Sequence, residues 1–175
     1  VGASSLSEFE NGKREPKVAQ LKELADCHKR PLSFFLEEGN PTSEHVLWRM
    51  RPTSPKAEDI QAELLKLARQ YHDLEVWCDR GEPCELPPLP ADCVGQLFGY
   101  GHAERLARYV SRTLGLGDRP GETLLRVLEE ECRVKVFHLP FEPSGTAACT
   151  VHPVYGAAIL LNSRNGVRRR SFDLA

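Results

Sequence analysis

The sequence contains no apolar run approaching the ~18 residues that cross a membrane. Its first residues are polar, without the basic start and apolar stretch of a secretion signal. Neither a membrane partner nor export is expected, and the cytoplasm is the expected compartment. No large excess of either charge is present: 23 Lys and Arg against 25 Asp and Glu leave a net −2. That balance excludes wrapping nucleic acid with the whole surface, but permits a small reading module whose basic residues are local. A cysteine framework is also missing. The six cysteines (Cys27, Cys78, Cys84, Cys93, Cys132 and Cys149) are spread along the chain, which favours reduced thiols over disulfides at this size. Cys78, Cys84 and Cys93 have five and eight residues between them. Structural zinc sites bring ligands closer together, about two to four residues apart, so no metal is expected there. His138 and His152 stand alone among strand residues, and neither has a ligand partner at helical or short-turn spacing.

What is present begins at residues 4–16, S-S-L-S-E-F-E-N-G-K-R-E-P. Leu6 and Phe9 share one face of a short helix, and Ser4, Ser5, Ser7 and Glu8 lie off it. Asn11-Gly12 ends the helix, because Gly accepts the left-handed backbone of a C-terminal cap. Pro16 then opens a second helix as a first-turn residue. Small hydroxyl side chains let a helix approach base edges and phosphates in a major groove. Lys13 and Arg14 follow directly and suit phosphate contact.

The run L-S-x-F-E-N-G-K-R-x-P closely resembles the recognition helix and following turn of the Cro/repressor-like helix-turn-helix family, often called the XRE family. The resemblance implies that Ala3, Ser4, Ser5, Ser7 and Glu8 face DNA, that Leu6 and Phe9 enter the core, and that Glu10 is structural. It extends through R-P-L-S-F-F-L to about residue 38. The family places two helices ahead of this one; here the chain begins at Val1 without them. The expectation is that the natural protein has them. The alternative is a domain that has lost its DNA role.

Further along, residues 16–28 read as a helix with Val18, Leu21, Leu24 and Ala25 on one stripe. A short helix from Pro31 turns Leu32, Phe35 and Leu36 inward. Residues 39–56 have the Pro, Gly, Ser and Thr content of a linker, except that His45-Val46-Leu47-Trp48-Arg49-Met50 is too apolar for free solvent. That run is expected to dock on one of the domains or on a second copy. Ser54-Pro55 starts a long helix to about Cys78, with Ile60, Leu64, Leu67, Ala68, Tyr71, Leu74 and Cys78 on one stripe packing against the next helices. Residues 80–93 are a Pro-rich loop. Helices follow over residues 102–114 and 120–132. Residues 134–138, 146–151 and 157–161 then alternate as strands, and a helix is expected after Gly166. Arg168, Arg169 and Arg170 form a basic run at its start, first a solvated helix entrance and second a nucleic-acid contact.

The strand A-A-I-L-L-N, a polar loop with Asn-Gly, and R-R-x-F-x-L-A resemble the ImmA/IrrE-type zinc metallopeptidases, from about Glu122 to Ala175. In that family H-E-x-x-H follows at once, two His gripping zinc while the Glu activates water. This sequence stops at Ala175 and contains no H-E-x-x-H. No catalytic or metal-binding residue can therefore be assigned, and zinc is expected only if such a helix follows Ala175. Some members carry a Cro/repressor-like module, and some cleave or bind a repressor or pair with a toxin. The chain thus reads as a piece of a longer protein.

The expected fold is α+β and mainly helical, with a helix-turn-helix remnant, a helical linker and a small sheet with helices. Its parts are residues 1–38 (DNA binding), 39–56 (linker), 57–118 (helical) and 119–175 (metallopeptidase-like). The expected function is that of a cytoplasmic DNA-binding transcriptional regulator, acting as a homodimer on two half-sites. Its second domain would sense or bind a repressor or toxin protein. The alternative is a zinc endopeptidase that cuts a repressor.

Overall fold

A computed structural model describes residues 1–36, 44–53, 56–90 and 99–174. Its fold is α+β and mainly helical, with a four-stranded mixed sheet. The chain divides into two compact units, Val1–Ser43 and Glu44–Ala175.

In the first unit, helix α1 spans Ala3–Glu10 and helix α2 spans Val18–Cys27, followed by a 3-10 turn at Leu32–Phe35. The stop expected at Asn11-Gly12 takes a definite form. Gly12 has φ +65°, its N–H donates to Phe9 O (3.0 Å), and Lys13 N–H donates to Glu8 O (2.9 Å). Together these bonds satisfy the last carbonyls of the helix. Pro16 lies one residue ahead of the cap of α2, Lys17, and not inside the helix. Val18 consequently opens α2 and is 71% exposed, which removes it from the expected stripe. Leu21 and Leu24 are half-buried and Ala25 is buried. Phe34 meets Phe35 edge to face at 5.3 Å. Leu36, expected inside, is exposed because the 3-10 turn closes at Phe35. The expected helix end at residues 37–39 lies outside the described residues.

In the second unit, β1 (Val46–Trp48), β3 (Ala147–His152), β4 (Gly156–Asn162) and β2 (Lys135–Leu139) lie side by side in that order. β1 and β3 are antiparallel, as are β3 and β4, whereas β2 runs parallel to β4. The three expected strands are thus present. The apolar run 45–50 does dock, as a fourth strand that pairs Val46 with Thr150 and Trp48 with Ala148. Thr150 of β3 and Thr146, just before β3, hold the ends of β1: Thr150 Oγ1 donates to His45 O (2.8 Å) and Thr146 Oγ1 donates to Met50 O (2.6 Å). β4 is apolar on both sides because both faces of the sheet are covered there.

One face carries helix α3 (Lys56–Trp77), whose fully buried Leu64 and Ala68 pack with Ala148, Ala158 and Leu160. The partner of the long stripe is therefore the sheet, where the sequence pointed to the next helices. Towards its C-terminus α3 lies along β2, where the Tyr71 ring meets Phe137 edge to face at 6.2 Å, yet Tyr71 is 48% and Leu74 54% exposed. The other face packs Ala157 against Leu124, Val127 and Leu128. These come from helix α5 (Pro120–Arg126) and the π-turn Val127–Glu131 that continues it. Helix α4 (Tyr100–Thr113) precedes them, and helix α6 (Val167–Leu174) follows β4.

At the end of β4 the polar loop is a hydrogen-bonded hub. Asn162 is fully buried; its Nδ2 donates to Phe141 O (2.7 Å), while its Oδ1 accepts from Arg164 N (3.0 Å). Asn165 Oδ1 accepts from Gly145 N (2.9 Å), and its Nδ2 donates to Asp173 Oδ2 (2.9 Å) on α6. Among the described residues, no helix is long and apolar enough to cross a membrane.

Candidate functional site

The sequence-derived site residues all lie on α1 and the turn after it. Ala3, Ser4 and Ser7 are exposed, as are Lys13 and Arg14; Ser5 and Glu8 are half-buried. Leu6 and Phe9, expected in the core, are half-buried, in the same range as Ser5 and Glu8, and no residue of α1 is fully buried. Three of the candidates, Ser7, Glu8 and Arg14, are drawn into local contacts. Asn11 Nδ2 donates to Ser7 O at 2.7 Å and lies 3.4 Å from Ser7 Oγ, tying the cap to the last exposed serine. Arg14 folds back over the helix: its Nη1 is 3.4 Å from Glu8 Oε2, and its guanidinium lies 5.2 Å from the centre of the Phe9 ring. Both partners of that ion pair are about half exposed, so the pairing is weak and open to competition from another anion. In this arrangement Glu8 offsets the charge that Arg14 offers, and Lys13 stands beside them.

The basic run on α6 is used differently. Arg169 donates to Gly145 O and pairs with Asp173 Oδ1 (3.0 Å). Together with Arg49 it flanks the Phe172 ring at 5.1 and 3.9 Å. Arg169 thus anchors α6 to the sheet unit, while Arg168 remains exposed.

The second unit also carries polar groups that sequence spacing did not connect. Tyr155 OH donates to Glu44 Oε1 (2.8 Å), which also pairs with Arg69 (3.2 Å). His152 stacks flat on Tyr155 at 3.7 Å, and its Nδ1 accepts from Val154 N–H (3.1 Å). The proton of a neutral His152 ring is thereby assigned to Nε2. Lys135, 6% exposed, pairs with Glu75 Oε2 at 2.8 Å. His72, Glu75, Lys135 and His152 face a cleft of about 460 Å³. Nothing in the sequence announces these pairs. Glu44 lies in the stretch read as linker, and Lys135 occupies a strand position that alternation alone leaves unmarked.

Among the described residues no group of three or more His, Cys, Asp and Glu could hold a metal ion. The one carboxylate near the end of α6, Asp173, is already engaged by Asn165 and Arg169. The residues described here therefore do not by themselves supply the zinc site that the metallopeptidase resemblance implies. Burial pushes the Cys132 and Cys149 thiols above their ordinary pKa, Cys132 also through the nearby Cys84, Glu131 and Glu85. Neither is an activated nucleophile at neutral pH. Compared with protein-family models, with curated proteins and with solved structures, the chain matches none.

Proposed function

We propose that this chain is part of a DNA-binding transcriptional regulator whose second unit binds or senses a partner protein. The observation that supports this most is the solvent-facing side of α1. Ala3, Ser4 and Ser7 are exposed over two turns while Leu6 and Phe9 are half-buried, and a tight Gly12 turn is followed at once by the exposed Lys13 and Arg14. Ser5 and Glu8 border it. Small side chains permit close approach to a groove, and the basic pair offers phosphate contacts. A single short helix reads too few base pairs for useful specificity, so the regulator acts as a homodimer in this reading. The partner of the second unit is a repressor or a toxin-like protein, as the metallopeptidase resemblance implies.

The test is fluorescence anisotropy with a labelled duplex at low salt, followed by a salt titration. Binding that weakens steeply with salt is expected, together with weaker binding in Ser4→Glu and Arg14→Ala. If neither substitution changes affinity at low salt, α1 is not the reading helix.

A second reading is a zinc endopeptidase that cleaves a repressor. It rests on the order β4, polar turn and α6 ending in F-D-L, the order found in the family that the sequence resembles. Its test is the encoding gene: H-E-x-x-H directly after Ala175 would favour it, and a different continuation would remove it.

A further inference from the structure

We propose that Cys84 and Cys132 are a reversible thiol–disulfide pair, closed by hydrogen peroxide, that fastens the proline-rich loop to the sheet unit. The two residues belong to segments already strapped together. Glu85 N–H donates to Cys132 O (3.1 Å), Arg133 Nη1 donates to Pro83 O (3.4 Å), and Arg133 forms an ion pair with Glu82. Cys84 and Cys132 thus flank a single backbone hydrogen bond. That bond sets the two backbones side by side at about the 5 Å spacing of neighbouring strands, and a disulfide requires the two Cα atoms within about 7 Å.

The side chain of Cys84 is also aimed inward. A Cβ added to Gly156 would lie 3.0 Å from Cys84 Cβ. Cys84 packs on the same apolar cluster that contains Cys132 and Ala157. Both thiols are free, Cys84 half-buried and Cys132 only 2% exposed. Cys84 is among the neighbours that, after burial itself, raise the Cys132 pKa.

This difference in access divides the chemistry. The accessible Cys84, as thiolate, attacks one peroxide oxygen. The O–O bond breaks, hydroxide leaves and is protonated to water, and Cys84 becomes a sulfenic acid. Cys132 then gives up its proton and attacks the Cys84 sulfur; the S–O bond breaks and a second water leaves. Two thiols and one peroxide become one disulfide and two waters. The raised pKa of Cys132 keeps it protonated until this step, which suits a resolving thiol more than a first target. Gly81, Glu82, Pro83 and Cys84 form one side of the 460 Å³ cleft, so the bond would fix that wall.

The experiment uses the full chain, reduced, treated with stoichiometric hydrogen peroxide, alkylated and digested for mass mapping. A peptide joining Cys84 to Cys132, lighter than its two parts by two hydrogens, is expected. The exposed Cys27 and Cys78 should carry alkyl groups. Recovery of both Cys84 and Cys132 as alkylated thiols would overturn the proposal, as would equal pairing of either with other cysteines. Cys84→Ser, at a half-exposed position, provides a second measurement. Oxidation should protect residues 80–90 of the wild-type chain from protease, and that protection should be absent in Cys84→Ser. Equal protection in the variant would count against the pair.

Discussion

At the scale of residues, stability concentrates in a few buried polar groups and a few backbone positions. Asn162 uses both ends of its amide to join the loop after β2 to the turn after β4. Its replacement by Ala strands several backbone groups in a dry site. Each buried group left without its partner costs about 1–3 kcal/mol. Asn162→Ala is therefore expected to destabilise the sheet unit by about 3 kcal/mol, read as a fall of roughly 10 °C in Tm. An unchanged Tm would show that the hub carries no stability. A gain is available at the end of α3, where Asp79 holds φ +54°. Its N–H and that of Arg80 make the same pair of closing bonds that Gly12 and Lys13 make after α1. Left-handed backbone costs a residue with a side chain about 1 kcal/mol. Asp79→Gly should therefore raise Tm by about 2 °C, and a lower Tm would mean that the Asp side chain contributes more than the backbone loses.

At the scale of elements, β1 is the exception that explains what a sequence reveals. β4 was legible as A-A-I-L-L-N because a central strand covered on both faces must be apolar along its whole length. β1 has three residues, Val46 and Trp48 on the covered face and Leu47 exposed, so its pattern is too short to show a period. Its strand character is supplied by Thr146 and Thr150, about a hundred residues away, and no local pattern encodes such a contact. Thr150→Val keeps the shape and removes the bond to His45 O. Amide exchange at Val46–Trp48 is expected to accelerate severalfold, in line with about 1 kcal/mol for one hydrogen bond. Unchanged exchange would show that the pairing with Ala148 and Cys149 suffices. The long stripe of α3 was half legible. Leu64 and Ala68 are where the periodicity puts them, but Tyr71 and Leu74 stay half exposed because that end of the helix lies over the edge strand β2, where Tyr71 meets Phe137. The half-burial of Leu6 and Phe9 followed from their spacing. The pairing of Arg14 with Glu8 did not, because six residues separate them across a turn and no helical spacing joins them.

At the scale of the whole molecule, a net charge of −2 means that any nucleic-acid binding rests on a local patch, and in the proposed reading the patch on α1 is restrained by its own acid. Glu8 occupies the guanidinium that would otherwise be offered to phosphate. Removing the carboxylate charge with Glu8→Gln should tighten low-salt DNA binding a few-fold, since an exposed pair of this kind is worth less than about 1 kcal/mol. Arg14→Ala should weaken binding and lower the dependence on salt by about one phosphate contact. The two substitutions act in opposite directions on the same exposed face, which separates a specific electrostatic role from a general loss of folding. The most direct measurement is the affinity of wild type, Glu8→Gln and Arg14→Ala for one duplex across a salt series. Tighter binding for Glu8→Gln, weaker binding for Arg14→Ala and a shallower salt slope for the latter are expected. Three indistinguishable curves, or no binding by any of them at low salt, would contradict a DNA-reading α1.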